Sequence, residues 1–401
     1  IFPTAFFGEV PPSTALILSL LTFAAGFIAR PIGGIIFGHF GDKIGRKKTL
    51  ISALMLMGIS STLIGLLPTY AMIGVAAPIL LTLLRFAQGL AIGGQWGGAM
   101  LLVTESAPSN QRGYYGAFAQ AGAPIGVILA NLALIITSAL VSEEFFNTWG
   151  WRIPFLASAV LIVISMYIQL NLEDTKAFKE LAVHKNKQQG DVETVIQRSP
   201  IIEAIRKYPK RIILAAGAFL SVQVTFYILI AFLLAYGVQS ANMARDDMLA
   251  AVLIASAIMV PMQFVFSSYS DRHGRRGIFM LGAVLSGLWA FAIFPLVDTG
   301  NFLLIVLAIS GGLIFLAMMY GPQAAFFTEL FSTEVRYSGA TLGYQFGAII
   351  GGAFAPTIAV KLWTELDIFW VSVYIAFAAL LTLLSVMALT ETYQSDLNKT
   401  Q

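Results

Sequence analysis

Eleven apolar stretches, each long enough to cross a bilayer, decide what this chain can fold into. A crossing helix needs about 20 apolar residues, and within lipid every backbone N–H and C=O must find its partner inside the protein. Five stretches, at roughly 13–40, 47–67, 76–107, 112–141 and 150–172, precede a long polar segment, 173–210. Six follow it, at roughly 211–240, 247–270, 277–297, 301–328, 336–363 and 369–390. The charge content agrees: 11% of 401 residues, against about 25% in soluble domains, which is too few to cover a water-facing surface of this size. The expected fold class is therefore an all-α membrane protein. Its expected units are an N-terminal helical bundle at 1–172, a central loop at 173–210 and a C-terminal bundle at 211–401.

The five-plus-six count is lopsided. The chain opens on Ile1-Phe2-Pro3, and Ile1–Gly8 reads as the last turns of a further span. With that span most of the way missing, the expectation is twelve spans in two six-helix bundles, numbered here so that the first complete stretch is span two. Positive charge marks the cytoplasmic side of a membrane protein. Lys43, Arg46, Lys47 and Lys48 follow span two, and Arg272, Arg275 and Arg276 follow span eight. Arg112 and Arg336 follow spans four and ten, and the central segment is also basic. Under strict alternation all of these share one side, so the central loop and C-terminus are expected in the cytoplasm of a multi-pass cell-membrane (inner-membrane) protein.

The two halves echo each other, as in transporters built from repeats. Gly41-Asp42-Lys43-Ile44-Gly45-Arg46-Lys47 after span two returns as Ser270-Asp271-Arg272-His273-Gly274-Arg275-Arg276 after span eight. Arg112-Gly113-Tyr114-Tyr115-Gly116-Ala117 opens span five, and Arg336-Tyr337-Ser338-Gly339-Ala340 opens span eleven. A carboxylate at such a place can pair with an arginine and with the positive N-terminal end of a helix. Asp42, Arg46, Arg112, Asp271, Arg275 and Arg336 are therefore gating candidates. Glu105 and Glu329 join them, ending spans four and ten beside basic loops. The plainer reading is that the basic loops serve topology alone, but topology requires no aspartate.

At these residues the chain resembles the major facilitator superfamily, whose signature loop looks like Gly38-His39-Phe40-Gly41-Asp42-Lys43-Ile44-Gly45-Arg46-Lys47-Lys48. More narrowly, it resembles that superfamily's metabolite:proton symporter branch. Ala29-Arg30-Pro31-Ile32-Gly33-Gly34 carries that likeness, as do Arg85-Phe86-Ala87-Gln88-Gly89 with Gly93-Gly94-Gln95-Trp96-Gly97-Gly98, and Trp149-Gly150-Trp151-Arg152-Ile153-Pro154-Phe155. The resemblance implies transport of a small solute, with carriers of α-ketoglutarate, citrate, shikimate, proline and betaine in the branch and a proton as coupling ion. Two departures stand out. The branch's first span, with its acidic residues, is absent from this sequence. Position 95 holds Gln where the branch typically carries Glu, and glutamine does not titrate.

Charges at bilayer depth are costly and mark functional sites by default. Arg85 lies about ten residues into span four, where its guanidinium could fork onto a carboxylate; a structural ion pair is the alternative. Arg30, nearer the basic end of span two, is a second candidate, and Arg152 reads as an anchor at the start of span six. Gln95 and Trp96 sit among glycines that either bring helices close or leave room for a ligand. Trp96 could cage a cation or simply pack. Gln223, Tyr227, Gln323, Tyr344 and Gln345 can hydrogen-bond a solute or tie helices together.

Other chemistries find no support. The chain has no cysteine, and its three histidines (His39, His184, His273) are not at ligand spacing, so no metal site is expected. Gly311-Gly312 and Gly351-Gly352 lie inside apolar spans, not in phosphate-cradling loops. No nucleophile–base pair supports an enzyme, and no nucleic-acid partner or cofactor is implied. The expected function is proton-coupled symport of a small organic acid by a monomer in the lipid bilayer. A carrier of zwitterionic osmolytes is the first alternative, and a non-transporting sensor or uncoupled homologue the second.

Overall fold

The computed structural model describes residues 2–44, 46–171, 200–331 and 336–393. The side chains of 38–50 and a few others, Glu105 among them, are not described, so the gating candidates Asp42, Arg46 and Glu105 lie outside the described residues. The described chain is helical throughout its apolar stretches. A short helix α1 (Phe2–Phe6) leads into α2 (Pro12–Ile44), α3 (Arg46–Leu66), α4 (Ala76–Ser106), α5 (Arg112–Leu140) and α6 (Ile153–Asn171). The second half comprises α7 (Pro209–Gln239), α8 (Arg245–His273), α9 (Arg275–Asp298), α10 (Phe302–Glu329), α11 and α12 (Ile368–Ala388). Helix α11 is built from Arg336–Ala348, a π turn at Ile349–Ala353 and Ala355–Glu365. Among the described residues, nine of these helices are long and apolar enough to cross a membrane.

Two expectations change in detail. The basic stretch after span two leaves little room for a loop, because α2 runs to Ile44 and α3 starts at Arg46. Its counterpart is equally tight: α8 ends at His273, Gly274 turns with φ 102°, and α9 begins at Arg275. That backbone angle strains any residue bearing a Cβ. The end of the central segment is helical, with an amphipathic helix, Pro200–Lys207, before α7 begins at Pro209.

Helix ends are closed locally. Asn301 Oδ1 accepts from the backbone N–H of Leu303 at 2.9 Å to start α10, and Asp367 Oδ1 does the same for Phe369 at 2.8 Å to start α12. At the start of α6, Arg152 donates to the carbonyls of Thr148 (2.9 Å) and Leu67 (3.2 Å) with its guanidinium over Trp151, as an anchor would.

Within the first half, α2 and α4 meet backbone to backbone. A Cβ on Gly89 would collide with the carbonyl of Gly26, one on Gly33 with that of Leu90, and one on Gly93 with that of Arg30. Without a hydrophobic drive between helices in lipid, such close van der Waals contact is what holds them. The contact also fixes where Arg30 emerges from α2. The halves then join along a seam in which α2 and α4 face α11, and α5 faces α8 and α10. Gly89→Val should disrupt α2 on α4, costing about 1–3 kcal/mol as overpacking does, read as a lowered thermal midpoint of the detergent-solubilised protein. Gly126→Ala, where a new Cβ meets nothing within 4 Å, should leave that midpoint unchanged or higher.

Candidate functional site

Halfway along the seam, polar and aromatic groups collect. Arg30 is only 9% exposed, its guanidinium lies 3.7 Å above the Phe27 ring, and its Nε has no partner. The next residue of this continuous helix, Pro31, supplies no backbone N–H. From the second half, Tyr227 meets Phe23 and Phe27 edge-on at 5.4 and 5.1 Å. Tyr227 stands immediately before a π turn at Ile228–Phe232, and the π turn of α11 lies against it: a Cβ on Gly352 would come within 2.8 Å of Phe27 and 3.2 Å of Tyr227. Irregular turns of this kind are frequent at functional sites.

Tyr344 of α11 is stacked between Trp96 of α4, at 3.7 Å, and Phe219 of α7, at 4.3 Å. Its phenol lies close to that of Tyr320 on α10, and both lie within electrostatic reach of Arg30. Gln323 and Gln345 are fully buried here, yet neither end of either amide has a partner. Trp96 Nε1 and Gln95 Nε2 are likewise buried without one. An unpaired buried polar group costs about 1–3 kcal/mol, so a cluster of them describes a place that a solute or ordered water completes. Arg30, Trp96, Tyr227, Gln323, Tyr344 and Gln345 thus fall into one region.

Arg85 does not join them. It points to the other side of the same aromatic pair, 5.1 Å from the Phe2 ring and 6.0 Å from Phe23, and donates to Gln88 Oε1 at 3.3 Å. Gln88 in turn donates to Ser61 at 2.7 Å. Among the described residues no carboxylate pairs with Arg30 or Arg85.

At the basic end the seam is clasped by charge. Asp271, at the end of α8, accepts from the backbone N–H groups of Gly113 and Tyr114 at the start of α5, both at 2.8 Å. Arg275 donates to Asp271 Oδ1 at 2.6 Å and to both oxygens of Glu329, at 3.2 and 3.3 Å. Thr392 adds a hydrogen bond to Glu329 at 2.8 Å. Arg112 and Arg336 are buried beside this cluster, and Arg336 Nε donates to the Phe331 carbonyl at 3.3 Å. The halves also meet at the opposite end, where Ser138 of α5 donates to Asp246 of α8 at 3.2 Å and Arg245 covers Phe146 at 4.4 Å. Near that end Tyr70 donates its phenol to Glu9 at 2.9 Å; this bond, then burial and the Glu9 charge, holds the phenol above its usual pKa and keeps it a donor at neutral pH.

Several contributors escaped the sequence reading. Gln120 of α5 crosses the seam to the Tyr320 carbonyl at 3.1 Å, leaving its Oε1 unpaired. Gln263 of α8 is fully buried with its whole amide unpaired. Glutamines within apolar stretches were the available signal for both. Phe27, Tyr320 and Thr392 gave none, because nothing local separates them from ordinary aromatic or tail residues.

Residues 7–342 match the profile of the Major Facilitator Superfamily. The chain is 40% identical to the inner membrane metabolite transport protein YhjE of Escherichia coli (strain K12), over 99% of this chain and 89% of that protein. It is 35% identical to the shikimate transporter of the same organism (98% and 89%) and 34% identical to the proline/betaine transporter of Salmonella typhimurium (96% and 77%). Its fold superposes on the xylose transporter XylE from E. coli with a TM-score of 0.73 at 17% identity, over 98% of this chain and 93% of that one.

The clasp makes a prediction. Asp271→Asn removes one charge from the Arg275 pair and weakens the cap on α5, and charged hydrogen bonds contribute about 1.5–3 kcal/mol each. The seam should open at the basic end, so that a cysteine introduced by Ala324→Cys, at a buried position facing Gly116, reacts with maleimide about tenfold faster. An unchanged labelling rate would show that Asp271 does not hold the seam shut.

Proposed function

This chain belongs to the Major Facilitator Superfamily and is a multi-pass membrane transport protein, not an enzyme; we propose that it carries a small organic anion, coupled to a proton, by rocking its two halves about the seam. The observation that carries this reading is Arg30: a cation buried at mid-seam, without a carboxylate partner among the described residues, in a region that also holds three phenols. A solute carboxylate supplies the missing counter-charge, and Gln323, Gln345, Tyr227 and Tyr320 supply hydrogen bonds around it. Arg85 is a second cation on the path, separated from Arg30 by Phe23 and Phe27, and is placed to meet the solute before or after the central site. Alternating access then requires the Asp271 cap on the first turn of α5 to form in one state and break in the other. The basic end faces the cytoplasm of the inner membrane, by the charge distribution of its loops.

A zwitterionic solute such as a betaine is the second reading, since the relatives include a proline/betaine transporter. It needs an open aromatic face for its ammonium group. One face of Trp96 is covered by Tyr344, whose other face is covered by Phe219, which favours the anion. The non-transporting reading rests on Gln95 alone. Gln95 sits in the site but cannot exchange a proton, so coupling falls to another group.

Counterflow in proteoliposomes with labelled carboxylates and betaine tests the substrate class, because it needs no net proton movement. Arg30→Gln should weaken carboxylate exchange about 10–100-fold, as loss of a charged hydrogen bond does, while Arg30→Lys recovers only part, lacking the planar fork. Arg85→Gln should abolish exchange at normal protein levels. Betaine exchange with no carboxylate exchange would reverse the assignment. Gln95→Glu should add pH-driven accumulation to a carrier that already exchanges; no change in the pH profile would place the proton elsewhere.

A further inference from the structure

The helix Pro200–Lys207 has an amphipathic face that nothing in the transport cycle uses. Its apolar side is only half covered: Ala204 is fully buried against α11, whereas Ile202 is 62% and Ile205 47% exposed. Beside these isoleucines the surface is basic, with Arg206, Lys207 and Lys210 all exposed and Glu203 the one acid of the helix. The helix is turned out of line with α7 by a break at Tyr208 (φ −131°, ψ 43°), the residue before Pro209, where helical geometry is disfavoured. Since α7 enters the apolar layer directly after that break, the short helix lies at the membrane boundary.

We propose that Pro200–Lys207 docks on an anionic phospholipid leaflet, with Ile202 and Ile205 inserted below the headgroups and Arg206 and Lys210 on the phosphates. Exposed isoleucines flanked by cations suit such a leaflet and not bulk water: the apolar side chains enter the acyl boundary while the basic stems snorkel to the headgroups. Negative lipid then balances a positive surface that has one acid to offset it. The surface is also bolted to the transport machinery. Arg211 donates to the Leu330 carbonyl at 2.8 Å and covers the Tyr208 ring at 5.1 Å, and Tyr208 meets Phe331 edge-on at 6.1 Å. Leu330 and Phe331 directly follow Glu329 of the clasp, so the docked helix is one rigid step from the gate.

The chain's lack of cysteine makes the test clean. Nitroxides are attached after Ile202→Cys, Ile205→Cys or Glu203→Cys, one at a time, in the full-length protein in nanodiscs. Collisional access to oxygen and to a water-soluble nickel chelate is then read by electron paramagnetic resonance. In membranes containing phosphatidylglycerol, labels at 202 and 205 should be at least about fivefold less accessible to nickel than the label at 203, and richer in oxygen contact. That difference should shrink in purely zwitterionic phosphatidylcholine, and in phosphatidylglycerol after Arg206→Gln with Lys210→Gln. Equal nickel access at 202, 203 and 205 in anionic membranes would overturn the docking, and depth indifferent to lipid charge would overturn its anionic basis. Protection that appears only when a nanodisc holds two chains would assign the surface to a second copy and overturn the proposal. None of these readouts depends on the transported solute, so the proposal stands or falls apart from the carboxylate reading.

Discussion

One carboxylate holds the seam in register. Asp271 receives two backbone N–H groups from the first turn of α5 and the guanidinium of Arg275, all within 2.8 Å. The N-terminal end of a helix carries partial positive charge and unpaired amides, so an acid there satisfies geometry and charge together. Because α5 and α8 run antiparallel, this contact at one end and Ser138 with Asp246 at the other fix how the pair slides. The positions of α10 and α11 across from α2 and α4 follow, and with them every distance in the central site.

Lipid explains why the polar groups gather where they do. A charge or unpaired amide facing hydrocarbon is expensive, so residues that must stay polar are driven to the surfaces where helices meet. Contacts inside each half are made cheaply by small residues, as with Gly26, Gly33, Gly89 and Gly93 between α2 and α4. The seam instead carries Arg30, Gln120, Gln263, Gln323 and Gln345, several of them with polar atoms that no neighbour satisfies. A seam built for permanence would pair these groups. One that must part, and admit a solute, leaves them open at the centre and concentrates its pairing at the end, where Asp271, held by Arg275, accepts from the first turn of α5. The amphipathic helix Pro200–Lys207 extends the same logic to the membrane surface, since its uncovered isoleucines also await a partner outside the fold.

Much of this was legible beforehand. The length and apolarity of the stretches gave the helices, because in a bilayer the chain has no other way to satisfy its backbone. The repeated Asp-x-x-Gly-Arg motif marked Asp271 and Arg275 as candidates, because an acid among basic loop residues has no role in topology. Arg30 stood out because buried charge is costly wherever it is placed. Less legible were side chains whose meaning depends on distant neighbours. Arg85 stands out by its depth alone, whereas only packing shows that α2 presents Arg30 to the central cluster with Phe23 between the two cations. Gln120 and Gln263 looked like any polar residue in a span until the halves closed on them, and Tyr320 like any aromatic.

The sequence by itself determined an all-helical membrane protein of the major facilitator kind, with an acid-and-arginine motif at one end of each half. Hydropathy, charge placement and a repeated motif are properties of single segments and survive without coordinates. Only the tertiary structure decided which half each motif engages. Asp271 caps α5 of the opposite half, Thr392 from beyond α12 reaches Glu329, and Tyr344 is held between rings from α4 and α7. Those contacts join residues at least 63 positions apart, on different elements of the fold. They are set by how whole helices pack, for which no local pattern in the chain carries the information.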